Sequence, residues 1–238
     1  MKLGINIDHV VTLREARGTT YPEPAVAAIL AESAGCSSIV AHLREDRRHI
    51  REEDIIFIKE VIKVPLNLEM SINKDIVAFA SRIKPYQATL VPERRLELTT
   101  EGGLNLLKDY KKIEKVIKVL KDEGVKVSLF IDPNKRQIER AKKIGANLIE
   151  INTGRYSNAN PSSGCLKVEL AKVKEAAKFA KKQGFFVAAG HGLDYENVKR
   201  IAKIKEIEEL NIGHAIICHS IFMGIVSAVE EMLSLIKT

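Results

Sequence analysis

The chain has 238 residues, a formal net charge of +7, and hydrophobic and charged fractions of 45% and 29%. That composition is ordinary for a globular protein with a sizeable core, and the length suits either one large domain or two small ones. No apolar run reaches the roughly 18 residues of a membrane span, since the best candidate, Ala215 to Val229, is interrupted by His219.

Leu3 to His9 reads as a first strand, alternating apolar residues with Asn6 and Asp8. A polar loop with Arg14, Arg17 and Gly18 is expected next, then a helix opened by Pro22-Glu-Pro24 and ended by Gly35. Ser38-Ile-Val-Ala-His-Leu is a second, doubly buried strand that runs into Arg44, Glu45, Asp46, Arg47, Arg48 and His49. So dense a burst of charge belongs at a polar rim. Arg51 to Ile62 has helical periodicity; Pro65 to Met70 is a third strand with Asn67 and Glu69 on one face. Lys74 to Ile83 is helical, and Gln87 to Glu93 is a fourth strand.

A long polar segment follows, carrying Arg94, Arg95, Thr99, Thr100, Glu101, Gly102 and Gly103, and is a binding-loop candidate. After a lysine-rich helix come a fifth strand, Lys126 to Asp132, and a helix from Pro133 to Gly145. Asn147 to Gly154 is the sixth strand, followed by a second long polar segment, Arg155 to Gly164. A helix from Leu166 to Gly184 leads to the seventh strand, Phe185 to Gly192, and a short helix from Tyr195. Ile207 to Ile212 is the eighth strand, ending at Gly213-His214, and one amphipathic helix is expected to close the chain.

Strict strand–helix alternation without a linker argues for a parallel sheet with helices outside. Eight such units favour a single α/β domain over residues 1–238, a closed (β/α)8 TIM barrel with long loops after strands 4 and 6. No GxGxxG follows the first strand, so a dinucleotide-binding fold lacks its usual signature. The basic excess lies largely at helical spacing, as in Lys111 to Lys121, and reads as solvated helix faces rather than a nucleic-acid site. Three scattered cysteines, Cys36, Cys165 and Cys218, argue against a disulfide framework or structural zinc. With no signal-peptide pattern after Met1, a cytoplasmic protein is expected.

Barrels of this kind hold their active sites at the C-terminal strand ends. Those ends carry Asn6, Asp8 and His9; His42 and Arg44; Glu69; Glu93; Asp132; Glu150 and Asn152; His191; and His214. Four of the six histidines converge there, and His49 lies just beyond. Histidine suits proton transfer near neutral pH. Glu69, inside an apolar strand, reads either as a base with a raised pKa or as a buried carboxylate paired with Arg44 or a histidine. Glu150 has the same two readings, and Asp132 before Pro133 reads as a helix cap. Gly190-His-Gly192 and Gly213-His214 are either turn chemistry or a phosphate site on backbone N–H groups. Arg17, Arg44, Arg94 and Arg95 offer a second anionic site, while other arginines of 44–51 should be solvated or paired. No metal-binding motif is present, and Lys63, Lys84 and Lys126 fall at the opposite face, which disfavours Schiff-base chemistry.

Asn6-Ile-Asp-His9, His42-Leu-Arg-Glu-Asp-Arg-Arg-His49, Asn67-Leu-Glu-Met70, Leu90-Val-Pro-Glu93, Thr99-Thr-Glu-Gly-Gly103, Val127 to Asp132, Ala189-Gly-His-Gly192 and Leu210 to Ile217 closely resemble pyridoxine 5′-phosphate synthase along essentially the whole chain. The resemblance implies a transferase-class, ring-closing synthase of vitamin B6 synthesis that uses no cofactor and no metal. It would condense 1-deoxy-D-xylulose 5-phosphate with 3-amino-2-oxopropyl phosphate to pyridoxine 5′-phosphate, inorganic phosphate and water. His42 and Glu69 would be bases, His191 the general acid and Glu150 a transition-state-stabilising carboxylate. Asn6, Asp8, His9, Arg17, Arg44, His49 and Thr99 would contact substrate, and Gly192, Gly213 and His214 the product phosphate. The Thr99–Gly103 segment would close over the site, and the assembly would be a homo-octamer built from dimers. One departure stands out. Family members read EIHTG where this chain has Glu150-Ile-Asn-Thr-Gly154, so Asn152 retains hydrogen bonding but not proton transfer. The alternatives are another barrel lyase or isomerase of a sugar phosphate, or an inactive binder of phosphorylated metabolites.

Overall fold

The computed structural model describes residues 1–93, 102–160 and 164–237. In chain order the elements are β1 (Lys2–Asn6), α1 (Asp8–Arg17), α2 (Pro24–Ser33), β2 (Ser38–Leu43), α3 (Glu52–Val61), β3 (Leu66–Met70), α4 (Lys74–Ile83) and β4 (Gln87–Leu90). They continue as α5 (Tyr110–Asp122), β5 (Lys126–Ile131), α6 (Lys135–Lys143), β6 (Leu148–Asn152), α7 (Gly154–Ser157) and α8 (Gly164–Lys182). The last are β7 (Phe186–Gly190), α9 (Val198–Ala202), β8 (Glu209–Ile212), α10 (His214–Met223) and α11 (Ile225–Ile236). All neighbouring strands pair in parallel, and β1 pairs with β8 to close the (β/α)8 barrel.

Period-two alternation divides the residues of each strand. Ile39, Ala41 and Leu43 of β2, Leu66, Leu68 and Met70 of β3, and Leu129 and Ile131 of β5 join the main core between sheet and helices. The alternate positions point into the barrel, where TIM barrels usually stack branched apolar side chains. Here they are largely polar. Ser38 donates to Glu209 at 3.1 Å, Gln87 to Thr89 at 3.2 Å, Thr89 to Asn67 at 2.8 Å and Asn211 to Glu150 at 2.6 Å. Pairing groups across the lumen lets these polar residues stay buried.

The lysine-rich helices behave as their spacing predicts. On α5, Ile113, Ile117 and Leu120 are buried while Lys111, Lys112, Lys115 and Lys118 are exposed. Among the described residues, no helix is long and apolar enough to cross a membrane.

Four expectations need correction. The polar loop after the first strand is α1, so Asp8 and His9 open a helix instead of ending a strand. The run Val10-Val11-Thr12 has weak intrinsic helix propensity. Burial of Val10 and Val11, the ion pair of Arg14 and the left-handed Gly18 at its end decide the matter. The polar segment after β6 includes the single turn α7. The closing helix is two helices, broken at Gly224 with φ of 81°. Asp132 does not cap α6; Asn134 does, accepting from the Arg136 N–H at 2.9 Å.

Arg14 and Asp54 tie α1 to α3 through two hydrogen bonds, 2.8 and 2.7 Å, with both side chains 8% exposed. Asp54 also accepts from the Arg51 N–H at 2.9 Å, at the start of α3. Removing one partner strands a buried charge, so Asp54→Ala should lower unfolding free energy by about 3–5 kcal/mol, read from the urea midpoint. A change below about 1 kcal/mol would mean the pair is effectively solvated.

Candidate active site

A cavity of about 680 Å³ opens at the C-terminal ends of the strands. Its wall includes Asn6, Asp8, His9, His42, Arg44, His49, Glu69, Glu150, His191, Gly192, Gly213 and His214. Of the residues given catalytic or substrate-binding roles by the resemblance, all but Arg17 and Thr99 are therefore brought together, while Glu93, Asp132 and Asn152, also at strand ends, do not line the cavity. Arg17 sits on the exposed end of α1 and does not line the cavity. Thr99 lies outside the described residues, as do Arg94, Arg95, Thr100 and Glu101.

Strand register sets the centre. His42 and Glu69 are direct neighbours on β2 and β3. Asp8, opening α1, accepts the His42 backbone N–H on Oδ1 at 2.8 Å and the Asn6 amide on Oδ2 at 2.9 Å. The same Asn6 Nδ2 lies 3.4 Å from Glu69 Oε2. Glu69 has no bond to Arg44, whose Nε donates to Asp46 at 3.2 Å. Burial, then the negative charges of Glu150 and Asp8, push the Glu69 carboxyl well above the usual carboxylate range. Burial also pushes Glu150 up to about 7, with the Asn211 hydrogen bond pulling down and Glu209 pushing further up. These carboxyls interact closely, so protons leave them as a coupled set.

A ring nitrogen of His42 and one oxygen each of Asp8 and Glu69 lie within 4.8 Å of one another, close enough for a cation to bridge them. Each group already has a protein partner: Asn6 for Asp8 and Glu69, and Glu93 for His42, whose Nε2 is 3.0 Å from Glu93 Oε1.

The opposite wall comes from β7 and β8. His191 has a φ of 85°, sparsely populated for a residue with a side chain. Thr153, fully buried, holds this backbone, with Oγ1 2.7 Å from both the Gly190 and the His191 carbonyl oxygens. Ser157 donates to the same His191 carbonyl at 3.3 Å. The His191 ring stacks on Phe130 with centroids 6.2 Å apart, and burial lowers its pKa. Burial likewise lowers His9 and His49, only partly opposed by Asp8. Gly213 precedes α10, and a Cβ there would sit 2.8 Å from Asn6 Cβ. With His214 and Ala215 it places the first turn of α10, whose leading N–H groups have no partner within the helix, on the cavity wall.

The charged run after β2 divides by direction. Arg44 and Arg48 both bond Asp46 and line the cavity. Arg47 pairs with Glu52 at 2.5 Å and Arg51 with Glu15 at 2.7 Å, away from it. His49 Nδ1 accepts the Ile50 N–H at 2.8 Å, which leaves the proton on Nε2. Asn152 bonds on both sides: its Nδ2 donates to Asp132, and its Oδ1 accepts from Gly154 N–H. Asp132 also accepts the Gly103 N–H at 3.1 Å, and so joins the bases of two loops.

Sequence reasoning placed Glu93 and Asp132 at strand ends without a catalytic or binding role, named Arg48 only within the charged run, and passed over Thr12, Phe130, Thr153 and Asn211. For Glu93 a signal existed, since it directly follows Pro92 at a strand end. Asn211 is two residues before Gly213 and on the inward face of its strand, a position that period two would identify.

The sequence model of a family described as "Pyridoxal phosphate biosynthesis protein PdxJ" matches residues 3–238. Among solved structures the chain resembles KGPDC from Streptococcus mutans, with a TM-score of 0.68 and 12% identity over 99% of this chain and 97% of that one. It also resembles phosphoribosyl anthranilate isomerase from Thermus thermophilus (0.61, 14%, 99% and 98%) and N-(5′-phosphoribosyl)anthranilate isomerase from Pyrococcus furiosus (0.62, 15%, 100% and 98%). At such identity these likenesses concern the barrel alone.

Glu150 offers a stability test. From the ordinary value of 4.5 up to about 7, the folded protein keeps a proton that the unfolded chain has lost, so stability falls as pH rises through that window. Glu150→Gln removes this loss and should be more stable than the parent at pH 8, by on the order of 1–3 kcal/mol, with the two converging near pH 4. Parallel melting-temperature profiles would mean that Glu150 is already ionised in the folded state.

Proposed function

The chain belongs to the family of the pyridoxal phosphate biosynthesis protein PdxJ, the pyridoxine 5′-phosphate synthases of vitamin B6 synthesis, and on that premise we propose the substrates, site roles and assembly that follow. The substrates are 1-deoxy-D-xylulose 5-phosphate and 3-amino-2-oxopropyl phosphate, joined and cyclised to pyridoxine 5′-phosphate with loss of inorganic phosphate and water. The observation that carries this reading is the meeting, on one cavity, of His42, Glu69, Glu150 and His191 with the open first turn of α10. A volume of about 680 Å³ suits two small phosphorylated molecules side by side.

Condensation of an amine with a ketone, followed by ring closure, requires repeated proton removal from nitrogen and carbon and proton delivery to departing oxygen. Glu69, with its pKa raised by burial and by neighbouring carboxylates, is a base matched to near-neutral pH. His42 stands beside it as a second base. Glu150, tied to Asn211 at 2.6 Å, stabilises positive charge that develops on the condensing nitrogen. His191 is neutral at rest because burial lowers its pKa. A phosphate dianion bound near Gly192, Gly213 and His214 favours its protonated form, and so arms it as the general acid when substrate is present. Asn6, Asp8, His9, Arg44 and His49 then contact substrate around the opposite wall.

The outer surface supports self-assembly. On α10, Ile221, Phe222 and Met223 are 65%, 89% and 41% exposed, with Leu13 of α1 and Val26 and Ile29 of α2 also open to solvent. Apolar exposure of this kind marks protein interfaces. We read it as a contact between copies in the homo-octamer. Arg17, exposed at the end of α1 and outside the cavity, is assigned to substrate contact by the family resemblance.

Incubation with both phosphorylated substrates should yield pyridoxine 5′-phosphate by chromatography, and His42→Ala, Glu69→Gln and His191→Ala should each lower kcat by about 10²- to 10⁴-fold. Unchanged turnover in all three would contradict the assigned roles. Phe222→Glu should shift the species seen by light scattering to a smaller assembly, and an unchanged mass would remove α10 from the interface.

A further inference from the structure

We propose that Glu93 is the positioning residue of His42, fixing which ring nitrogen carries the proton and leaving Nδ1 as the proton acceptor. The inference rests on the reading of His42 as a base and deepens it. Glu93 follows β4 directly after Val91-Pro92 and is not among the residues lining the cavity. Its Oε1 is 3.0 Å from His42 Nε2, and its Oε2 accepts the Glu45 backbone N–H at 2.9 Å. The two side chains are 8% and 5% exposed, so water competes little for the contact.

Burial pushes the Glu93 carboxyl up, but bonding to His42, its charge, the Glu45 N–H and Arg44 together bring it below the ordinary carboxylate value. Glu93 is thus ionised, and an ionised carboxylate only accepts hydrogen bonds. Nε2 of His42 therefore carries a proton in either state, and in the neutral ring the lone pair resides on Nδ1. The Asp8 carboxylate holds the His42 backbone N–H at 2.8 Å, so the residue is fixed at both ends. When Nδ1 takes a proton, the imidazolium forms against a carboxylate already in place. Serine hydrolase triads use the same logic with the two nitrogens exchanged, and there losing the carboxylate charge with little change of shape gives the wrong tautomer and a large fall in kcat.

Glu93 also ties β4 to the segment after β2 through Glu45, and a purely structural role would lie there. Glu93→Gln separates the two. Its amide oxygen still accepts from Glu45, while its NH₂ faces His42 and can only donate. The variant is expected to invert the tautomer to Nδ1–H and Nε2 lone pair, read by ¹⁵N NMR of histidine-labelled protein with His42→Ala for assignment. With the tautomer, kcat should fall about 10²- to 10⁴-fold with KM changed less than about threefold, and Glu93→Asp should recover part of it. Wild-type protein with the proton on Nδ1 of His42 would overturn the proposal, and that spectrum needs no variant to fold. Normal kcat in a Glu93→Gln protein with an inverted tautomer would instead overturn the reading of His42 as a base. Full turnover by His42→Ala would do the same while leaving the tautomer result to judge Glu93.

Discussion

Several carboxylates share the mouth of one barrel, and the arrangement of the rest follows from keeping them there. Asp8, Glu69 and Glu150 face the same cavity, and Glu209 lies deeper in the lumen. In so little water, all of them cannot stay charged, because burial and mutual repulsion both favour the neutral form. Amide and hydroxyl donors are distributed to match. Asn6 serves Asp8 and reaches towards Glu69, Asn211 serves Glu150, and Ser38 serves Glu209. Backbone space is reserved as well: a Cβ at Gly190 would sit 2.3 Å from Glu150 Oε1. The polar lumen is the local consequence of placing ionisable groups on the inward positions of the strands.

The cavity is divided into two walls. β1 to β3 and the start of α1 bring the Asp8–His42–Glu69 group, in which each side chain has a protein partner before substrate arrives. β6 to β8 bring backbone: the left-handed turn at His191 and Gly192 and the open start of α10. On the proposed roles, proton-transfer groups lie on both walls, and the second also offers backbone N–H groups to an anion. Thr153 and Asn152 stiffen the second wall from behind, through carbonyl and amide bonds that reach β7, β5 and α7. The role of Asn152 is thus the hydrogen bonding that an amide retains, directed at Asp132 and Gly154.

Barrel closure, and most of the residues that meet on the cavity, were legible because both depend on local patterns. An apolar run meeting a polar residue, as at Ser38 to His42, marks a strand end wherever the rest of the chain lies. Residues whose function depends on distant partners were not legible. Glu93 meets His42 across 51 positions, Asn211 meets Glu150 across 61, and Thr153 reaches His191 across 38. Nothing in a linear window records such pairings. Helix α1 escaped for a related reason: its β-branched residues argue against a helix locally, and the buried Arg14–Asp54 pair that secures it spans 40 positions. The division of the charged run into Arg44 and Arg48 facing the cavity and Arg47 and Arg51 facing away needed the turn at Arg47, whose φ of 50° is invisible in composition.

The claim that most of this depends on is a glutamate in the barrel mouth that keeps its proton far above the ordinary carboxylate range. Carboxyl-labelled glutamate followed by ¹³C NMR against pH tests it directly, with Glu69→Gln to assign the resonance. The predicted result is a carboxyl titrating well above 4.5 that disappears in the variant and whose loss alters the titration of Glu150. Glutamates that all titrate near 4.5 would contradict the account, and leave the cavity a charged binding site rather than a place for proton transfer.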